Sequence, residues 1–282
     1  MRILLLGASG LVGSAFQEVF NEYSNFNVTS IVRHPSDVFF SSSKHNVKII
    51  PDIVEDESLR SIFLVIQPEV VINCIGIIKS GASKKMRQIN ELFPHKLYKE
   101  CMLFNARLIH ISTDCVFSGV DGNYSENDVP SPIDEYGASK LNGEVYGSNA
   151  VTIRTSFIGH EYKSSNGLLE WFLSQNDSCT GYNNAIFSGF PSIIFAKIII
   201  DHVISNNSIT GLYHVSSQPI SKFALLKIIA EVYKKKIRIE KDESFVINRS
   251  LNSSKFKSLT KFSALDWEAS IKLMHNYKYL NT

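Results

Sequence analysis

An α/β fold built on a doubly wound parallel sheet is predicted by three features of the sequence. A short apolar run at residues 2–6 leads straight into Gly7, Gly10 and Gly13, and apolar residues then recur at helical spacing. Roughly six strand-like runs alternate with helix-like segments before residue 156. No linker, heptad or repeat interrupts the rest of the chain, so a smaller C-terminal substrate lobe, residues 156–282, must interleave with the sheet of residues 1–155.

The first run is apolar throughout because a strand in such a sheet is covered on both faces. Glycine permits the tight turn after it and lets backbone approach a pyrophosphate, whose charge then rests on a helix N-terminus. Gly7, Ser9, Gly10, Leu11, Val12 and Gly13 are therefore candidate cofactor residues in a Rossmann-type dinucleotide site. The spacing, Gly-x-x-Gly-x-x-Gly, is one residue longer at its front than the general fingerprint.

The second run, residues 28–32, ends in Arg33 and His34 with no acid at the strand end. An acid there would bind an NAD ribose, whereas a guanidinium pairs with the extra phosphate of NADP. Arg33 thus favours NADP(H), and NAD(H) stays open. Residues 47–50 give a third strand, leading to Asp52 and Ile53, and residues 55–66 a helix. Residues 70–75 give a fourth strand, after which Cys74, Ile75 and Gly76 let a cofactor lie close. Residues 83–102 read as a helix kinked or broken at Pro94, and 107–111 as a fifth strand.

Beyond it, strands are expected at 151–155, 185–188, 213–215 and 237–239. Helices are expected at 168–175, 193–204, 223–233 and 267–280.

The chain has 282 residues, 44% of them apolar and 20% charged, as an ordinary soluble protein has. A net charge of +2 argues against nucleic-acid binding, and no apolar run is long enough for a membrane span. The N-terminal apolar run is too short for a signal peptide and is better explained by the strand. Four cysteines without metal spacing read as reduced thiols and point to the cytoplasm. A second copy of the chain is a candidate partner.

The chemistry concentrates between residues 111 and 144. Ser112 and Thr113 end the fifth strand, where ligands of open α/β sheets bind. A loop rich in Gly, Pro and Asn follows, and then Tyr136 stands four residues before Lys140, on one helix face. That spacing alone is near chance in a chain with eleven tyrosines, and its position gives it weight. A nearby ammonium favours the phenolate, so Lys140 is expected to draw the Tyr136 pKa down. Thr113 can donate to, or orient, a substrate carbonyl.

Gly7-Ala8-Ser9-Gly10-Leu11-Val12-Gly13 with Tyr136-Gly137-Ala138-Ser139-Lys140 resembles the extended short-chain dehydrogenase/reductases. Ser112-Thr113-Asp114-Cys115-Val116-Phe117-Ser118-Gly119, with Lys140-Leu141-Asn142-Gly143-Glu144, resembles the dTDP-4-dehydrorhamnose reductase branch. The resemblance implies NAD(P)H reduction of a nucleotide-linked 4-keto-6-deoxyhexose. Thr113, Tyr136 and Lys140 would form the catalytic trio, and Asn90 would stand near the cofactor channel. Cys115 replaces a tyrosine usual in that branch and Ser118 an aspartate, so the sugar is left open, with a UDP-linked acetamido-sugar as competitor.

Ser112, Thr113, Asp114 and Cys115 are candidate substrate residues. Arg154, Arg249 and Lys163 are candidates for a diphosphate, since arginine suits bidentate phosphate contact. His160, His202 and His214 read as structural groups, and Trp171, Phe172, Phe187 and Phe190 as core. An epimerase or dehydratase that retains its nicotinamide, and a non-catalytic regulatory subunit, are the competing functions.

Overall fold

The computed structural model describes residues 1–37, 45–54, 58–78, 83–161 and 167–280. Its elements run β1 (Arg2–Leu6), α1 (Leu11–Phe20), β2 (Asn27–Val32), β3 (Asn46–Ile49), α2 (Ser58–Ile66), β4 (Val70–Asn73), α3 (Ser83–Met86), α4 (Phe93–Leu103), β5 (Arg107–Ile111) and α5 (Glu135–Asn142). They continue β6 (Ala150–Arg154), β7 (Phe157–Ile158), α6 (Leu168–Ser174), β8 (Ser178–Tyr182), β9 (Ala185–Phe187), β10 (Phe190–Pro191) and α7 (Ser192–Ile199). The last are β11 (Gly211–His214), β12 (Ile220–Ser221), α8 (Lys222–Val232), β13 (Arg238–Asp242), β14 (Ile247–Asn248), α9 (Ser254–Thr260) and α10 (Trp267–Leu280).

The seven described strands of the main sheet lie in the order β11-β6-β5-β4-β1-β2-β3, and every pairing is parallel. In β1, Ile3 and Leu5 join the core under α1 and α7, while Leu4 and Leu6 join the core under α2 and α4. That two-residue alternation explains the unbroken apolar run. Strand order reverses between β1 and β4, which opens a crevice at their carboxyl ends. β11 adds to the sheet from residues 211–214, well beyond the first half of the chain.

A third core, with Leu169, Phe172, Phe187, Leu225, Ile229, Trp267 and Ile271, lies under α6, α8 and α10. Trp171 departs from the expected core role, at 37% exposure. β8 and α9 lie where no element was expected, since both are short and largely polar.

Pro94 neither breaks nor kinks its helix alone. A π-helical turn, Arg87–Leu92, joins α3 to α4, and Pro94 is the second residue of α4, directly after that turn. A second π turn, Ile200–Ile204, follows α7, and the buried Arg107 guanidinium donates to the carbonyls of Val203, Ile204 and Ile209. Among the described residues no helix is long and apolar enough to cross a membrane.

Candidate active site

Gly7 adopts a φ of +76°, and a Cβ there would lie 2.8 Å from the Cys74 carbonyl carbon. One at Gly13 would lie 2.1 Å from the Gly7 carbonyl oxygen. Both positions therefore require glycine, which draws the first turn of α1 down onto the ends of β1 and β4. Above the turn lies a cavity of about 500 Å³, bordered by Gly7, Ser9, Gly10, Arg33, Asp52, Ile53, Cys74, Ile75 and Gly76. All nine stand among the expected cofactor residues. Leu11, Val12 and Gly13 do not line it and build the helix start beneath.

His34, Asp37, Lys85 and Gln88 border the same cavity and were not among the expected cofactor residues. A short 3-10 turn, Pro35–Asp37, folds the Asp37 carboxylate back so that it accepts from the His34 N–H at 3.3 Å. The strand end thus does have an acid beside Arg33, four residues further on. Pro35-Ser36-Asp37 is a turn-forming sequence, and that was the available signal.

Asn90 acts on the loop after β4. Its Oδ1 accepts from the Ile77 N–H at 3.0 Å, and its Nδ2 donates to the Ile77 carbonyl at 2.8 Å and to Ser139 Oγ at 3.0 Å. The π turn carries Asn90 at full burial, so the crevice loop is tied to α5 between Tyr136 and Lys140.

Thr113 ends β5 and caps a 3-10 turn, Asp114–Val116. Its hydroxyl accepts from the Cys115 N–H at 3.2 Å and donates to Asp114 Oδ1 at 3.3 Å. Helix α5 begins at Asp134, whose carboxylate accepts from the Gly137 N–H at 2.7 Å. Burial pushes the Tyr136 phenol up, with Cys115 adding and Thr113 opposing. Desolvation is the leading influence, so the lowering expected from the Lys140 ammonium is outweighed. The phenol is protonated at neutral pH.

Lys140 is 4% exposed and donates to the Ile111 carbonyl at 2.7 Å. Burial pulls its ammonium down to about 8, opposed by Glu144 and Cys74. A Cβ at Gly76 would lie 3.6 Å from Asn90 Oδ1 and 3.9 Å from Lys140 Nζ. The cavity therefore opens onto the Lys140 end of the Thr113, Tyr136 and Lys140 cluster.

Two expected substrate residues are turned away. Arg154, buried at 2%, donates from Nε and Nη2 to the two oxygens of Glu144 at 2.8 and 2.7 Å. It is spent on a buried pair and not on a diphosphate. Ser112 donates to the same carboxylate at 2.7 Å and faces the interior. Asp114 is 8% exposed, its carboxyl pushed up by desolvation against the pull of Arg249, and it accepts from Thr113 Oγ1.

Cys115 meets Arg249, whose Nη1 donates to Sγ at 3.1 Å and whose Nη2 lies 3.8 Å from Asp134. Lys163 lies outside the described residues. His160 bridges Glu170 and Tyr233, His214 meets the Tyr124 carbonyl, and His202 packs on Phe256 and Phe262.

A glycine turn at the switch point of a parallel sheet, with a buried Tyr136/Lys140 pair on the helix beyond its fifth strand, defines an extended short-chain dehydrogenase/reductase. The chain belongs to the family described as the RmlD substrate binding domain, whose family model matches residues 1–279.

It is 30% identical over 148 residues to methionine adenosyltransferase 2 subunit beta of Rattus norvegicus, covering 51% of this chain and 41% of that one. The match thus spans less than half of that relative. A Haloferax volcanii protein named as a probable low-salt glycan biosynthesis reductase, Agl14, is 28% identical over 233 residues, with 77% of this chain and 75% of that one covered. The structure of dTDP-4-dehydrorhamnose reductase from Bacillus anthracis in complex with NADP has a TM-score of 0.77 at 22% identity. That match covers 98% of both chains and is a likeness of fold.

Proposed function

We propose that the chain is an NAD(P)H-dependent reductase of a nucleoside-diphosphate-linked 4-keto-6-deoxyhexose, acting in the synthesis of a surface-polysaccharide precursor. The observation that carries this reading is the placement of Gly76, which borders the dinucleotide-sized cavity and where an added Cβ would lie 3.9 Å from Lys140 Nζ. A nicotinamide cofactor, bound there, supplies the hydride. The glycine turn of Gly7, Gly10 and Gly13 would hold its pyrophosphate on the α1 N-terminus. Arg33 would pair with a 2′-phosphate, so NADP(H) is the preferred form, and Asp37 in the same cavity keeps NAD(H) usable.

The protein's chemical task is to protonate the carbonyl oxygen as the hydride reaches its carbon. Tyr136 is suited to this because burial keeps its phenol protonated. Thr113 orients the carbonyl, and the Lys140 ammonium, one helical turn beyond Tyr136, supplies positive charge to the crevice. Arg249 and Cys115 face the sugar from the side of the C-terminal lobe. The named activities of the Haloferax volcanii and Bacillus anthracis proteins support the reductase reading. Purified protein given NADPH and freshly generated 4-keto-6-deoxy sugars on dTDP, UDP or GDP should consume NADPH. No consumption with any of the three overturns the proposal.

A second reading, a regulatory subunit of another enzyme, is favoured by the match to methionine adenosyltransferase 2 subunit beta. The Tyr136→Phe variant separates the two, since a subunit keeps its cellular role without the phenol and a reductase does not.

A further inference from the structure

The C-terminal lobe places one guanidinium beside the proposed reacting centre. Arg249 directly follows β14, where the Asn248 N–H donates to the Gly119 carbonyl at 2.7 Å. Gly119, at a φ of +87°, lets the arginine stem come so close that an added Cβ would stand 3.0 Å from Arg249 Cγ. Nη1 donates to Cys115 Sγ at 3.1 Å, and the Cys115 N–H donates to the Thr113 hydroxyl at 3.2 Å. Nη2 lies 3.8 Å from the carboxylate of Asp134, which caps α5 two positions before Tyr136. The head group is therefore bracketed by the turn that follows Thr113 and by the start of the helix that carries Tyr136.

Its charge is answered there and its N–H groups are not. Asp134 balances the charge from a distance too long for a hydrogen bond. A second carboxyl, Asp114, lies just beyond the Cys115 thiol, which donates to its Oδ1 at 3.6 Å. The N–H groups meet only the thiol sulfur, a weak acceptor, and Nε is withdrawn from water with no partner among the described residues. Donors so placed call for an acceptor. A diphosphate would supply one only by bringing its negative charge against Asp134 and Asp114. A neutral carbonyl oxygen supplies one without that repulsion, and, unlike a ring hydroxyl, it carries no O–H for which a guanidinium has no acceptor. We propose that Arg249 is a specificity-determining residue that binds the carbonyl oxygen of an acylamino group on the hexose ring, so that the substrate is an acetamido-bearing 4-keto-6-deoxy sugar.

The proposal rests on the chain being a reductase of 4-keto sugars. Its test compares two freshly generated UDP-linked 4-keto-6-deoxy sugars that differ only at C2, one with an acetamido group and one with a hydroxyl. The value of kcat/KM is read from NADPH absorbance for the native protein, Arg249→Met and Arg249→Lys, and UDP affinity is measured by calorimetry. The native protein should prefer the acetamido sugar by about 10- to 100-fold, the worth of a hydrogen bond to a charged group. In Arg249→Met that preference should shrink to within about threefold, through the acetamido sugar alone, with UDP affinity unchanged. Arg249→Lys keeps the charge beside Asp134 but has no Nε. It should lose the preference in the same way, and it serves in place of a methionine variant that fails to fold.

An equal loss for both sugars overturns the proposal, and if UDP weakens as well it assigns the guanidinium to the diphosphate. A native protein that reduces only hydroxyl-bearing 4-keto sugars, on any nucleotide, or that does not distinguish the two, overturns it too and leaves the reductase reading standing. A native protein that reduces no 4-keto-6-deoxy sugar on dTDP, UDP or GDP instead overturns that reading, and this inference falls with it.

Discussion

The Lys140 ammonium donates to the Ile111 carbonyl at 2.7 Å, so the catalytic helix is tied by a charge to the strand that delivers Thr113. Burial has already pulled that ammonium down to about 8. As pH rises through this value the amine loses its proton, and with it the positive charge facing an anionic cofactor. NADPH affinity should therefore be constant near neutrality and fall above about pH 8. In Lys140→Met the affinity should be weaker throughout, without this inflection. A native profile that stays flat to pH 10 or so would contradict the assignment.

Tyr136 is the proton donor only if its loss affects chemistry rather than binding. Tyr136→Phe removes the phenol oxygen and leaves the ring in place. Turnover should drop roughly 10²- to 10⁴-fold, while NADPH affinity stays within about threefold of native. Fluorescence titration beside steady-state kinetics measures both.

Much of the sheet was legible because the stretches of a strand buried on both faces must be apolar, as residues 3–6 and 70–72 are. The glycine turn was legible because no other residue fits at Gly7 or Gly13. What escaped depends on distant partners. Glu144 reads as an ordinary acid after a helix until Arg154, ten residues on, folds against it. Arg154 in turn reads as a free cation at a strand end. Asp37 enters the cavity only through a three-residue turn, and the π turn that buries Asn90 has no periodic signature to separate it from an α-helix.

Gly137 should tolerate no side chain, since a Cβ there would lie 2.2 Å from the Cys115 carbonyl oxygen and 3.0 Å from Pro132 Cβ. Alanine gains about 1 kcal/mol of helix propensity, but the contact is with backbone and cannot relax locally. The clash should prevail, costing roughly 1–3 kcal/mol. Gly137→Ala should melt several degrees lower and lose activity as α5 moves off the 3-10 turn. An unchanged melting temperature would show that α5 has room which the structure denies it.

Arg33 and Asp37 both border the cavity, four residues apart. Removing the guanidinium should weaken NADPH by about 10- to 100-fold, the worth of a charge-assisted hydrogen bond. NADH, which has no 2′-phosphate, should be little affected. Equal losses for both cofactors in Arg33→Ala would remove the phosphate pairing from the site.

Arg249 links the C-terminal lobe to the reacting centre through a weak acceptor. Its Nη1 meets only the Cys115 thiol, its Nη2 is 3.8 Å from Asp134, and its Nε has no partner among the described residues. The side chain is nonetheless 15% exposed, so most of its donors are withdrawn from water without being used. A substrate phosphate or other acceptor-rich group would satisfy them, which makes the guanidinium a candidate for the sugar nucleotide and not for NADPH. Arg249→Met should raise KM for the sugar nucleotide about 10- to 100-fold and leave NADPH affinity unchanged. The short Cys115 side chain is what admits the guanidinium. A Cys115→Tyr ring would compete for that space and should raise KM in the same direction, again without touching cofactor binding. Equal weakening of NADPH in either variant would assign Arg249 to the cofactor side of the crevice.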